Sequence, residues 1–173
     1  NSFTPVATRL QDVTGSHRLF IKWGDATNLQ KIELVKDSLW FENPDCGVVY
    51  ENVEPSKNAV VFVTTGENGA TEGTDTNQGI QWEVIKPISG DARCEGSNIG
   101  YTKAGVVVAY KGIDFKDNYY KEVFINASCE PSYIGSTIED ANFTLYTDLN
   151  DIDWENVTNL EELNAALEGR EPV

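Results

Sequence analysis

Oxygen-bearing side chains crowd into three stretches of this chain, and their types and spacing suit a hard divalent cation. The first is TTGENGATEGTDTNQG, residues 64–79, which carries Glu67, Glu72 and Asp75 among Gly66, Gly69, Gly73 and Gly79. Glycine lets a backbone fold tightly enough for carbonyls and carboxylates to converge, and Thr64, Thr65, Thr74 and Thr76 add further oxygens. The second is TDLNDIDWEN, with Asp148, Asp151, Asp153 and Glu155; the third is GIDFKDN, with Asp114 and Asp117 in an expected turn. Ca²⁺ gathers many oxygen ligands in flexible geometry and is the ion such groups suit best. Each stretch also has a plainer reading. A long Gly- and Thr-rich loop is often a solvated, mobile connection. TDLNDIDWEN opens like an EF-hand, but Ile152 stands at the fifth position, Asp153 replaces the glycine of the sixth, and Asn159 replaces the glutamate of the twelfth. An EF-hand is therefore excluded, and only an irregular loop site remains.

Other chemistry finds little support. His17 is the one histidine, so a Ser-His-Asp triad would rest on it alone and a multi-histidine metal site cannot form; it reads as a surface residue. In DIDWE the carboxylates stand at alternate positions, which on a strand would project them from one face. The segment resembles the Glu-x-Asp-x-Glu signature of jelly-roll β-glucanases, but Asp151 holds the first place and the segment runs straight into an expected helix. The chain is expected not to be an enzyme.

Composition narrows the partners. Thirteen Lys and Arg face 28 Asp and Glu, a formal charge of −15. Nucleic acid and anionic membranes need clustered cations and are disfavoured; a surface this acidic repels itself until cations bind. No apolar run approaches the roughly 20 residues of a membrane span. The chain starts at Asn1 and has no Met, which reads as a mature product whose leader has been removed, or as a trimmed chain. Cys46, Cys94 and Cys129 lack CxxC spacing, so a zinc ribbon is not expected; any two could pair in a secreted protein. Sequons at Asn126, Asn142 and Asn156 fit an extracellular glycoprotein.

The elements that must position these groups are strands. Runs rich in Val, Ile, Phe, Tyr and Trp cover 19–23, 32–35, 39–41, 48–53, 59–63, 80–85, 105–110, 119–125 and 142–146. Turn signals such as WGDATN, ENPDCG and SGDARCEGSN separate them. The spacing predicts an all-β fold, a β-sandwich or jelly roll, in one domain over residues 11–173. One helix is predicted at about 158–168, capped by Thr158 with Glu161, striped by Leu160, Leu163 and Leu167, and ended by Gly169. Its apolar stripe is expected to dock on the sandwich. Trp23, Trp40, Trp82 and Trp154 could build a sugar-stacking platform, but core packing is the expectation for Trp82, which sits in an alternating strand.

Residues 1–10 read as an extended arm without an obvious partner, and Pro5 bars it from the middle of a sheet. Such an arm can fray, or it can add as a strand to a neighbouring subunit, with Phe3, Val6 and Leu10 filling pockets. The stretch FTPVATRLQDVTGSHRLFIKWGDATNLQKIELVKDSLWF resembles the N-terminal part of the cannula-forming proteins of hyperthermophilic archaea. The resemblance implies secreted β-sandwich subunits that build hollow extracellular tubes, with calcium promoting assembly and donated N-terminal strands linking subunits. It would make residues 1–10 the donor and the acidic loops Ca²⁺ bridges. The absence of Met agrees with such an origin, whereas 15 Asn residues are many for a hyperthermophile. VEPSKNAVVFVTTGENGATEGTDTNQGIQWEV resembles the middle of actinoporin-like and aegerolysin-like cytolysins, which are lipid-binding sandwiches. The expected function is therefore a self-assembling extracellular filament or tubule subunit with Ca²⁺ at its contacts. A calcium-dependent carbohydrate-binding module is the alternative, and a lipid-binding cytolysin the third reading.

Overall fold

Apolar residues fill successive positions in LFIKW and VVVAY, so the strands that carry them must be covered on both faces. The computed structural model describes residues 3–36, 41–43, 47–49, 60–88, 91–117, 119–128 and 143–173. Its strands are β1 (Thr4–Arg9), β2 (Thr14–Trp23), β3 (Asn28–Val35), β4 (Phe41–Asn43), β5 (Gly47–Val49), β6 (Val60–Val63) and β7 (Glu72–Thr74). They continue as β8 (Gln81–Pro87), β9 (Arg93–Cys94), β10 (Ile99–Gly100), β11 (Val106–Asp117), β12 (Glu122–Ser128) and β13 (Phe143–Thr147). One sheet has the order β1-β12-β3-β10-β9, with β6 also on β3; the other runs β13-β2-β11-β8-β7; β4 and β5 form a separate hairpin. The strand pairs in these sheets are antiparallel. This is the expected all-β sandwich.

Period-two alternation decides which side chain goes where. Leu19, Ile21 and Trp23 of β2, and Val106, Val108 and Tyr110 of β11, point between the sheets. There they meet Ile32 and Leu34 of β3, Phe62 of β6, and Val123 and Ile125 of β12. The residues between them, Phe20, Val107 and Ala109, face the other way and enter a second cluster with Tyr146, Leu149, Val157, Leu163 and Leu167. The C-terminal segment supplies that outer layer: a 3-10 turn at Trp154–Asn156 and helix α1 at Leu160–Leu167.

The helix begins one residue later than the sequence predicts. Asn159 is the N-cap, its side chain accepting from the Glu162 N–H at 2.9 Å. The Glu162 carboxylate reaches back to the N–H and hydroxyl of Thr158, both at 2.7 Å. The cap is therefore Asn159 rather than Thr158, with the Glu162 carboxylate taking the residue before the cap, and Leu163 and Leu167 are buried against the sheet. Leu160 consequently leaves the stripe and is 42% exposed. Gly169, at φ 75°, ends the helix as expected.

The fold gives the N-terminal arm a place in a sheet. It has a partner in its own chain: β1 pairs with β12 from Thr4↔Ala127 to Arg9↔Glu122, and the Leu10 N–H continues the ladder to the Lys121 carbonyl at 2.9 Å. Pro5 is tolerated because β1 is an edge strand. Leu10 is buried in its own core, not offered outward. Phe3 is half-buried, and the Val6 side chain lies outside the described residues. Trp23 and Trp82 are core residues, while Trp40 lies outside the described set.

Truncating Leu163, which has no exposed surface, should cost about 2–5 kcal/mol. Urea denaturation of Leu163→Ala against the parent measures it; a loss below about 0.5 kcal/mol would mean that α1 is not docked.

Candidate functional site

The glycine-rich stretch at 64–79 is an ordered cover built around one indole. Trp82 is buried on β8, and its Nε1–H donates to the Thr65 carbonyl at 3.1 Å. Gly73 lies opposite Trp82 in the β7–β8 ladder. A Cβ there would stand 2.7 Å from the ring and 2.8 Å from the Thr65 carbonyl oxygen, so only glycine lets β7 lie across the indole. The neighbouring segment bonds to the β9–β10 hairpin: Gly69 N–H to the Cys94 carbonyl at 2.9 Å, and Cys94 N–H to the Ala70 carbonyl at 2.8 Å.

Asp75 is the centre of polar order in this cover. It is 2% exposed. One carboxylate oxygen accepts the Val63 N–H at 2.6 Å and the other accepts the Gln78 N–H. Its own backbone closes the β7–β8 turn by bonding with Ile80 and Gly79. A buried carboxylate is tolerable when backbone donors satisfy it, and here each oxygen takes one. Thr64 is likewise buried, its hydroxyl 2.9 Å from the Tyr110 phenol oxygen. Burial, first of all, holds that phenol protonated far above its ordinary range. Glu67 and Glu72 stay on the surface. The three carboxylates of this stretch thus do not converge.

The second acidic stretch is dispersed onto partners. Asp148, at φ 59°, places a carboxylate oxygen 2.7 Å from His17 Nδ1. His17 Nε2 faces the Thr14 carbonyl at 2.6 Å. With acceptors at both ring nitrogens the imidazolium is favoured, and the Asp148 hydrogen bond is the main reason that its pKa is raised. Asp151 takes a two-pronged contact from Arg170 at 2.9 and 2.6 Å, which draws its carboxyl below the usual range. Asp153 accepts from the Asn156 amide at 2.6 Å. Glu155 is exposed in the 3-10 turn. Because residues 151–156 form turns rather than a strand, the alternate-face carboxylate pair of a retaining glycosidase does not arise.

Asp114 and Asp117 lie on β11, not in a turn, opposite Ser16 and Thr14. Asp114 accepts the Lys116 N–H at 2.9 Å. Among the described residues no group of three or more His, Cys, Asp or Glu could hold a metal ion, and no helix is long and apolar enough to cross a membrane. Of the sequons, Asn156 is exposed, whereas Asn126 is half-buried on β12 with its amide donating to Gln30 at 2.6 Å; Asn142 lies outside the described residues. Cys94 has a free, buried thiol, pushed up in pKa mainly by that burial, and Cys46 and Cys129 lie outside the described residues.

One concave site was not foreseen. A cleft of about 340 Å³ opens between the 64–71 segment and the β9–β10 hairpin, lined by Asn68, Gly69, Arg93, Cys94, Glu95 and Tyr101. Tyr101 is 48% exposed and adopts φ 55°, a left-handed conformation unusual for an aromatic residue. The Arg93 guanidinium sits 3.8 Å from its ring centroid. In the sequence, SGDARCEGSN reads as a turn signal, so the two-stranded hairpin it opens was legible there only as punctuation.

Two measurements test these placements. Gly73→Ala should destabilise the fold by about 1–3 kcal/mol through overpacking on Trp82, read by denaturant unfolding; an unchanged midpoint would mean that β7 does not cover the indole. The His17 ring protons, unambiguous in a chain with one histidine, should titrate by NMR above the ordinary value of about 6.5. The stabilisation from this pair is then full below the unfolded-state value and lost as pH rises through the folded one. Asp148→Asn should move the midpoint back down; a parent value at or below the ordinary one would deny the pair. No family model, curated protein or solved structure matches this chain.

Proposed function

We propose that the chain is a secreted structural subunit that assembles into an extracellular filament or tube by exchanging β1 between copies, with Ca²⁺ at the contacts. The observation that carries this reading is the position of β1. It is six residues long, lies at the rim of its sheet and bonds to β12 alone among the described strands. Other rims are less suited to exchange: β7 and β9 have three and two residues, and β13 is met by the Val173 N–H, which bonds to the Leu145 carbonyl at 2.9 Å.

Exchange needs no new ladder. A change of backbone direction at Gln11–Val13 would let β1 leave its own β12 and take the same antiparallel register on the β12 of another copy. Such a swap is heterologous and propagates unless rotation closes it. Leu10, buried in its own core, acts as the anchor of the hinge, while Phe3 and Val6 travel with the strand. Charge supplies the calcium dependence. At −15, copies repel until a divalent ion joins them. Since the described carboxylates are not gathered within one chain, each ion is shared by exposed carboxylates of two, with Glu67, Glu72 and Glu155 the best placed by exposure.

Electron microscopy and sedimentation velocity with and without millimolar Ca²⁺ test this. Long ordered polymers are expected only with the ion, shortened by excess peptide spanning residues 3–10 and absent when residues 1–9 are deleted. Monomers under both conditions, or polymers indifferent to the deletion, would overturn it.

A further inference from the structure

We infer that the cleft at Arg93 and Tyr101 binds a neutral saccharide, without a metal ion. Its volume, about 340 Å³, falls in the range of small-molecule sites. The strongest pointer is Tyr101. Among the described residues only Tyr101 and Leu160 are large apolar side chains with so much surface open. Its backbone is held in the left-handed region at φ 55°, and such outliers gather where a ligand clamp is pre-formed. Arg93 stacks on the ring at 3.8 Å. One face of the phenol is thereby covered and its orientation pinned, yet the residue remains half exposed.

Polar groups surround the ring. The Glu95 carboxylate accepts from the Asn98 amide at 3.2 Å. It folds back over the hairpin, where a Cβ at Gly100 would lie 2.1 Å from one of its oxygens. Gly69 and Cys94 are tied across the floor by the backbone bonds already described. The cleft thus presents an acceptor-only carboxylate, a donor-only guanidinium and the two-way amide of Asn68 beside one aromatic ring. Hydroxyls that donate and accept at once satisfy all three, and the C–H face of a pyranose matches an aromatic face.

Charge excludes the neighbouring ligand classes. Arg93 stands 3.7 Å from Asp91, and Glu95 adds a second carboxylate, so no surplus of positive charge awaits an anion. A cationic ligand would compete with the guanidinium already on the ring. An apolar ligand would cover Asn68, Glu95 and Arg93 with a surface that offers them no hydrogen bond in place of water.

The inference does not rest on polymer assembly, and its test reads binding alone. Saturation-transfer NMR on the full chain, in EDTA, is run with gluco-, manno-, galacto- and N-acetylglucosamine hexasaccharides as probes. At least one should receive saturation from the protein. Tyr101→Asn removes the ring while suiting the left-handed backbone, and should weaken that binding about tenfold or more; Glu95→Gln and Asn68→Ala should weaken it less. Leu160→Ala, which alters the other exposed apolar residue, should leave it unchanged. Amide dispersion in each spectrum reports whether the variant is folded, and if Tyr101→Asn is not, Asn68→Ala carries the same decision. Silence from all four probes, loss of the signal in EDTA, or equal binding by the folded ring-less variant would overturn the inference.

Discussion

β2 and β11 are apolar on both faces, and that constraint organises the molecule. A strand with Phe20 on one side and Leu19 and Ile21 on the other cannot leave either face in water without losing about 25 cal/mol per Å² of apolar area. The inner face is covered by the second sheet. The outer face needs another layer, which the chain after β13 provides through Leu149, Val157, Leu163 and Leu167. Once that layer is docked, the acidic stretch 148–155 is fixed against β2 and β8 as a consequence of packing.

Docking decides the fate of the carboxylates. His17 meets Asp148, Arg170 meets Asp151, Lys86 reaches the Trp154 carbonyl, and Lys22 reaches Asn164. Arg18 pairs with Glu83, which also lies 3.6 Å from Lys111. With 13 cations against 28 anions, Lys22, Lys86 and Arg170 are placed at the outer layer. Exposed pairs contribute roughly 0–1 kcal/mol each, so they set the register of the layer more than its stability. Other carboxylates, such as Glu67, Glu72 and Glu155, remain on the outer surface.

The cover over Trp82 shows the same economy on the opposite flank. One indole dictates a glycine across from it, Asp75 closes the turn beneath it, and the segment so fixed forms one wall of the Arg93–Tyr101 cleft. A run of small and acidic residues therefore serves first as a lid for a buried ring. Its exposed members, Glu67, Asn68 and Glu72 among them, lie on the outside of that lid.

Much of this was legible in the residues alone. β-branched and aromatic runs announced strands, and Leu163, Leu167 and Gly169 announced a docked helix with a defined end. These are local signals, carried by side-chain period and backbone preference. What tertiary structure alone decided was pairing. That Asp75 meets two backbone amides depended on where Val63 and Gln78 came to lie. Whether residues 4–9 formed a loose arm or an edge strand depended on an open side of β12, more than a hundred residues away. Whether Asp148, Asp151 and Asp153 converged or separated depended on which donors the outer layer carried to them. Charge count and spacing fix how many oxygens are available; only the packed fold selects their neighbours, because each hydrogen bond or ion pair is made within about 3–4 Å, and sequence distance does not measure that.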